Sequence, residues 1–165
     1  MFQKLNLTNA SVFLLVVFAT QFGGLSATVQ AQRKCRPQVL ITIKREVCFG
    51  SCPSYSAQIE SDGTVKYEGQ SNVKATGKRQ HKIDKARLKE LVKAFARAKY
   101  FSLKDRYETD EEGNSVTDQP TTTTSICLKG KRKQVVNYYM APGELEELEN
   151  TIERLAGLYE YIGPL

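Results

Sequence analysis

Two cysteines four positions apart are the residues of this chain with the clearest potential for chemistry. Cys48 and Cys52 enclose Gly50, and Pro53 and Tyr55 follow. Two thiols at this spacing can form a disulfide, exchange electrons or hold a soft metal ion. Glycine and proline both favour turns. The motif therefore predicts a tight, cysteine-clamped turn that leads into a strand beginning near Tyr55, and it does not identify a reaction.

The chain contains four cysteines, Cys35, Cys48, Cys52 and Cys127, which allow three disulfide pairings. Proximity in sequence favours Cys48–Cys52, which leaves Cys35 and Cys127 as a possible second bridge, but the sequence does not decide between the pairings. Loop-closure entropy grows with loop length, so the short bridge would mainly shape a turn and the long one would add more stability.

The N-terminal residues have the pattern of an export signal. Lys4 precedes the uncharged apolar run Val12–Ala19, and Val29-Gln30-Ala31 fits a small-x-small cleavage site. We expect residues 1–31 to be a signal peptide cleaved after Ala31, with 32–37 as the mature N-terminal segment. An uncleaved anchor is the alternative, although the run is short for a membrane span. The mature protein should then be periplasmic or extracellular, without a further span.

The Cys-x-x-x-Cys-Pro pattern is also similar to that of copper-assembly proteins with a thioredoxin-like fold, in which two thiolates and a histidine hold the metal. In those proteins a helix follows the cysteines, whereas residues 55–60 alternate as a strand here. The only histidine, His81, lies beside Arg79 and Lys82, which disfavour a bound cation. We expect a structural disulfide and no metal or cofactor, with a redox-active pair as the alternative.

Other catalytic patterns are weak. The acidic run Asp110–Asn114 lacks the alternating oxygen ligands and closing glutamate of a calcium loop. The sequence contains neither a glycine-rich phosphate loop nor a nucleophile-elbow motif. No catalytic residue is therefore assigned, and enzymatic activity is not the favoured hypothesis.

Residues 55–68 predict a β-hairpin, because apolar and polar residues alternate on both sides of Asp62-Gly63. A two-residue loop would put the apolar residues of the two strands on opposite faces. A three-residue loop instead pairs Ile59 with Val65 and keeps one face apolar, with Gly63 in the left-handed conformation. We therefore predict the three-residue loop.

The remaining segments complete an α+β domain. Besides the hairpin strands and a strand over 39–44, the pattern predicts a basic strand 73–82, a helix of about 85–99 capped by Asp84, a polar loop 104–120, strands 121–128 and 134–140, and a helix from Pro142 to Gly157. The order is four strands, a helix, two strands and a helix. We expect an antiparallel sheet with both helices on one face, forming a single domain over 38–158 with a C-terminal tail 159–165.

Several segments share their pattern with one known family. They are Ile43–Tyr55 with its Cys-x-Gly-x-Cys-Pro-x-Tyr element, Ile59–Gly69, Phe101–Leu103, Thr117–Thr121 and the closing acidic helix. Over residues 38–158 the chain resembles the bacterial domain-of-unknown-function family numbered 6438. That family has no established activity, so the resemblance implies a domain boundary and a bacterial, often exported, context, and nothing about mechanism.

Positive charge is concentrated between residues 74 and 97 of a chain whose net charge is +6. The candidate contact residues are Lys74, Lys78, Arg79, Lys89, Lys93 and Arg97. They could contact an anionic surface or a protein, although a solvated charged face is the favoured interpretation. Nucleic acid is not expected, because the protein is exported and no aromatic residues interleave the charges. The sequence thus predicts an exported binding or structural module. The alternative is a thiol redox or metal-handling protein that uses Cys48 and Cys52.

Overall fold

The computed structural model describes residues 39–110, 112–114 and 116–163, which form seven strands and three α-helices. The expected signal peptide, the segment 32–37 and Cys35 lie outside these residues. The elements are β1 (Val39–Arg45), β2 (Ser54–Glu60), β3 (Thr64–Ser71), β4 (Gly77–Lys82), α1 (Lys85–Arg97), a 3₁₀ turn (Tyr100–Ser102), β5 (Arg106–Tyr107), β6 (Thr122–Leu128), β7 (Lys131–Asn137), α2 (Gly143–Leu155) and α3 (Tyr159–Ile162).

The strands form one mostly antiparallel sheet in the order β4-β3-β2-β1-β6-β7-β5, which confirms the α+β class. The prediction of an unbroken loop over 104–120 is wrong. Arg106 and Tyr107 pair in parallel with β7, and the Val136 N–H donates to the Asp105 carbonyl at 2.9 Å. A strand of two residues is too short to produce a detectable sequence period. The sheet therefore has one more strand than expected, at its β7 edge.

The predicted register of the β2–β3 hairpin is confirmed. Ile59 lies opposite Val65, and the Gly63 N–H donates to the Glu60 carbonyl at 3.0 Å. Gly63 has a φ of +87°, a conformation that suits glycine. The requirement for a continuous apolar face therefore identified the turn correctly.

The predicted bounds of the strand 134–140 are wrong, because β7 occupies Lys131–Asn137. Gly130 has a φ of +77° in a tight turn, so pairing with β6 begins already at Lys131. At the other end the Tyr138 N–H turns away to the Tyr107 carbonyl at 2.9 Å. The apolar and aromatic residues after position 134 shifted both predicted ends of this strand downstream, although Val135 and Val136 do pair with β6.

The helices pack their apolar faces onto the sheet to form one core. Asp84 caps α1 as predicted, since its side chain accepts from the Arg87 N–H at 2.7 Å. Leu91 and Phe95 of α1 and Leu148 and Ile152 of α2 are buried in the same cluster as the apolar sheet residues. Among the described residues, no helix is long and apolar enough to cross a membrane.

The chain beyond residue 158, assigned to a C-terminal tail from sequence, contains α3. Ile162 is buried. The carbonyls of Tyr161 and Ile162 accept from the backbone N–H groups of Ala75 and Lys74 at 2.9 and 3.2 Å. This segment therefore holds the connection between β3 and β4 in place.

Candidate functional site

One cross-strand row at an end of the sheet is polar, although it lies on the face that carries the core. Arg45 of β1 pairs with Tyr55 of β2 and with Thr122 of β6, which pairs with Asn137 of β7. Side chains alternate along a strand, so Arg45 occupies the position after Ile43 in the core-facing series of β1. We call Tyr55, Arg45, Thr122 and Asn137 the polar row.

Two glutamates of α2 face the polar row. Glu149 and Glu153 are four residues apart and therefore share one face of the helix. Their exposed fractions are 3% and 0%. A buried carboxylate is unfavourable unless it is paired and hydrogen-bonded, so the partners of these two residues define the site.

Glu153 is held by two members of the polar row. Its Oε1 accepts from the Arg45 Nε at 2.6 Å and from the Tyr55 hydroxyl. Arg45 also donates through Nη1 to the Thr122 hydroxyl at 3.1 Å. The other carboxylate oxygen of Glu153, Oε2, is buried without a hydrogen-bond partner. A charged cluster thus anchors α2 to the end of the sheet, with one acceptor left unsatisfied.

The Arg45 and Tyr55 side chains keep their ordinary protonation states across the physiological pH range. Burial alone would lower the pKa of Arg45, but the adjacent Glu153 carboxylate and Tyr55 outweigh it and the pKa is raised. Burial raises the pKa of the Tyr55 hydroxyl, and Glu153 raises it further. Tyr55 is therefore a neutral donor to Glu153, while Arg45 is a permanent cation.

Glu149 is different, because its main partner is neutral. The Asn137 side-chain nitrogen lies 3.2 Å from each of its carboxylate oxygens. Burial raises the pKa of Glu149 to about 7, and the charges of Glu153 and Glu146 act in the same direction, while Asn137 and Arg45 oppose the change. Glu149 therefore titrates near neutral pH, which is typical of carboxyl groups at functional sites.

A cleft of about 490 Å³ opens in front of this network. Four of its lining residues, Arg45, Thr122, Asn137 and Glu149, belong to the polar row or face it. The rim is formed by Gln119, Pro120, Tyr138, Tyr139, Met140, Ala141, Glu146 and Asn150. The cleft thus combines a cation, carboxylates, an amide and a hydroxyl with a rim of mixed polar and apolar residues. Its volume is within the range of small-molecule sites.

The predicted disulfide lies in the loop that joins two members of the polar row. Cys48 and Cys52 are bonded to each other, and the loop runs from the end of β1 at Arg45 to Tyr55. Phe49, at its tip, is 89% exposed. The bridge therefore restrains the connection between Arg45 and Tyr55. None of the described cysteines is a free thiol.

The pairing Cys35–Cys127 stays a prediction, because Cys35 lies outside the described residues. Gly50 and Pro53 lie in the loop of the Cys48–Cys52 bridge, as the motif predicted. Gly50 has a φ of +143°. Neither Gly50 nor Pro53 lines the cleft.

Asp62 and Gly63, the other predicted motif residues, lie at the opposite end of β2 from the cleft. The Asp62 carboxylate accepts from the Thr64 N–H at 2.9 Å and from Lys82 at 3.1 Å. Hydrogen bonds from Thr64, together with Lys82, lower the pKa of Asp62 to about 2. Both residues therefore serve the hairpin turn.

The predicted basic contact residues are exposed but do not line the cleft. They are spread over the β3–β4 connection, β4 and α1, and comprise Lys74, Lys78, Arg79, Lys89, Lys93 and Arg97. His81 approaches the Ala156 carbonyl through Nε2 at 2.8 Å. Within the described parts of the chain, no three His, Cys, Asp or Glu side chains are grouped as a metal site would require.

Sequence reasoning missed the residues that build the cleft, although a signal was present. Glu149 and Glu153 follow the same helical spacing as the apolar residues of α2. Arg45 continues the core-facing alternation of β1. Charged residues at core-facing positions are unusual and deserve a functional interpretation. Thr122 and Asn137 gave no such signal, because their role depends on the pairing of strands.

A family model described as a domain of unknown function (DUF6438) matches residues 39–156. No curated protein matches the chain. Segments on which the sequence resemblance rests meet at the polar row and the cleft in front of it. The run 43–55 contributes Arg45 and Tyr55, the segment 117–121 leads directly into Thr122, and the closing helix carries both buried glutamates.

Proposed function

The chain belongs to DUF6438, a family of domains of unknown function, and we propose that this member is a non-catalytic binding module whose ligand enters the cleft in front of Arg45 and Glu149. The observation that carries the proposal is the presence of two buried carboxylates and a guanidinium beside an open cleft. Well-packed apolar residues often stabilise a fold as well as, or better than, a buried ion pair. Stability is therefore a weak explanation for this network.

The cleft side chains have hydrogen-bonding capacity beyond their mutual contacts. A guanidinium carries five N–H donors, and Arg45 directs one N–H to Glu153 and one to Thr122. Asn137 turns its amide nitrogen towards Glu149, which leaves its amide oxygen as an acceptor. A purely structural anchor would not need an open cleft in front of these groups, whereas a binding site would.

Export is part of the same proposal. The residues before position 32 have the pattern of a cleaved signal peptide, and disulfides such as Cys48–Cys52 persist in oxidising compartments. We place the mature protein in the periplasm or outside the cell. Fractionation of the native host, with intact mass of the exported chain, tests this placement. A chain that retains residues 1–31 in the cytoplasm would contradict it.

A screen of small polar molecules against the ¹⁵N-labelled mature protein tests the binding function. We expect hits to shift the backbone amide signals of Thr122 and Asn137 together. Thr122→Val removes the hydroxyl that accepts from Arg45 and should weaken these hits. Thr123→Val is the matched control, because the neighbouring side chain points to the other face of β6. Hits that map elsewhere, or that respond equally to both variants, would overturn the proposed site.

A thiol redox function is the second candidate, because the Cys48–Cys52 bridge lies in a loop whose tip is exposed. Structural disulfides in secreted proteins have reduction potentials below about −300 mV. A potential in that range, with ligand binding retained when both cysteines are replaced by serine, would support the binding module. A more oxidising potential, with loss of function in a folded double variant, would favour redox chemistry.

A further inference from the structure

The charges that line the cleft differ in sign from those of the whole chain. The chain carries a net charge of +6. The charged side chains lining the cleft are Arg45, Glu146 and Glu149. Arg45 is already neutralised by Glu153, which lies behind it at 2.6 Å. Glu146, together with Glu149 when it is ionised, gives the cleft an excess of negative charge.

An anionic ligand fits this arrangement poorly. It would have to share the Arg45 guanidinium with Glu153 while facing Glu146 and Glu149. Like charges brought together in a partly buried site repel strongly, because the low local dielectric screens them little. A cationic ligand is favoured instead. It is attracted by the carboxylates of Glu146 and Glu149, and the positive charge of Arg45 is already balanced by Glu153.

We propose that the ligand of this cleft carries an ammonium group that sits against the carboxylates of Glu149 and Glu146; this inference rests on the binding function proposed above. An ammonium is a compact cation with three N–H donors and no acceptor. Glu149 supplies charged acceptor atoms, and the amide oxygen of Asn137 is a further acceptor beside it. The two glutamates are three residues apart on α2, so both lie on the helix face that borders the cleft.

Binding of such a ligand must be coupled to the protonation state of Glu149. This carboxyl is faced by Arg45 from β1, Asn137 from β7 and Tyr100 from the 3₁₀ turn, and by Glu146 and Glu153 from its own helix. The pKa of Glu149 is raised to about 7, chiefly by burial. A bound ammonium favours the ionised form, so binding releases a proton and the affinity rises with pH. If only the protein with ionised Glu149 binds the ammonium, the affinity increases about tenfold between pH 6 and pH 8.

Three probes of matched length test the inference by NMR titration of the mature protein: 1,6-diaminohexane, 1,6-hexanediol and adipate. We expect only the diamine to shift the amide signals of Thr122 and Asn137, more tightly at pH 8 than at pH 6. Glu149→Gln should weaken binding at pH 8 at least fivefold and remove its pH dependence. The glutamine retains an acceptor for Asn137, so this variant should fold. Glu147→Gln, on another face of α2 and outside the cleft, should leave binding unchanged.

The possible results separate this inference from the binding function itself. Binding of the diol or adipate at the cleft without the diamine would overturn the ammonium assignment and leave the binding function intact. A diamine effect that is unchanged in Glu149→Gln, or that spreads over the basic surface, would also overturn it. If none of the three probes shifts the cleft signals the assignment fails, while the broader screen decides on the binding function.

Discussion

Glu149 and Glu153 lie one helical turn apart on the buried face of α2, yet their carboxylates have partners of different charge. Glu153 accepts from the Arg45 guanidinium and the Tyr55 hydroxyl, whereas Glu149 accepts from the neutral Asn137 amide. The first contact anchors the helix to the sheet. The second leaves a carboxyl group at the cleft whose charge depends on pH and on what occupies the cleft.

The first prediction concerns Glu149→Gln. The pKa of Glu149 is about 7 in the folded protein, against an ordinary value of 4.5. The folded state therefore binds the Glu149 proton more tightly than the unfolded state. As a result, Glu149 lowers the free energy of unfolding as pH rises from about 4.5 to about 7. The variant should be more stable than the wild type by up to about 3 kcal/mol at pH 8, with the difference disappearing below pH 4.5. Urea unfolding at pH 4.5, 6 and 8 measures this.

Glu147→Gln is the control for that series, because Glu147 is exposed on α2. Its effect on the free energy of unfolding should be within about 0.5 kcal/mol at every pH. A Glu149→Gln variant whose stability relative to wild type does not change with pH would show that Glu149 titrates normally.

The second prediction concerns the contact of Arg45 with Glu153. Arg45→Met leaves a buried carboxylate without its cation, which typically destabilises by about 3–5 kcal/mol. The triple variant Arg45→Met, Tyr55→Phe and Glu153→Leu replaces the whole cluster with apolar groups and should regain most of that loss. Denaturant unfolding of the single and triple variants tests the cluster. If the triple variant is less stable than Arg45→Met, the network contributes to stability beyond the pairing of its charges.

The sequence predicted those features that arise from local patterns. The β2–β3 register followed from the requirement that Ile59 and Val65 share an apolar face, and the start of α1 followed from Asp84. The disulfide Cys48–Cys52 followed from proximity in sequence. Each of these depends on residues that are close together along the chain.

The cleft could not be predicted in the same way. Arg45 is separated from Glu153 by 108 positions, and Thr122 joins them only through the pairing of β1 with β6. The two-residue β5 is too short to show an alternation of apolar and polar residues in the sequence, and its pairing with β7 is determined by tertiary contacts. The sequence shows that charged residues occupy core-facing positions, but the pairing of strands decides which of them meet.

The third prediction concerns the cysteines. Replacing Cys48 and Cys52 by serine removes a bridge over a very short loop, for which chain entropy gives about 2 kcal/mol of stability. Cys127→Ser should cost about 4 kcal/mol or more if it breaks the longer bridge to Cys35. Thermal unfolding of both variants, with peptide mapping of the wild type under non-reducing conditions, tests the pairing. A Cys127→Ser variant less destabilised than the double variant would contradict the Cys35–Cys127 bridge.

The fourth prediction separates two reasons why a position requires glycine: a left-handed backbone conformation and a lack of space for a Cβ atom. Gly63 and Gly130 have similar φ values, +87° and +77°, in the turns of two hairpins. A Cβ at Gly63 would lie 2.5 Å from the Ile83 carbonyl oxygen, whereas a Cβ at Gly130 would meet nothing within 4 Å. Gly130→Val should therefore cost about 1–2 kcal/mol, for the left-handed conformation alone. Gly63→Val should cost about 2 kcal/mol more, because backbone must move as well. Equal losses in urea unfolding would show that the contact with Ile83 relaxes freely, and a Gly63→Val variant as stable as the wild type would contradict the assigned turn.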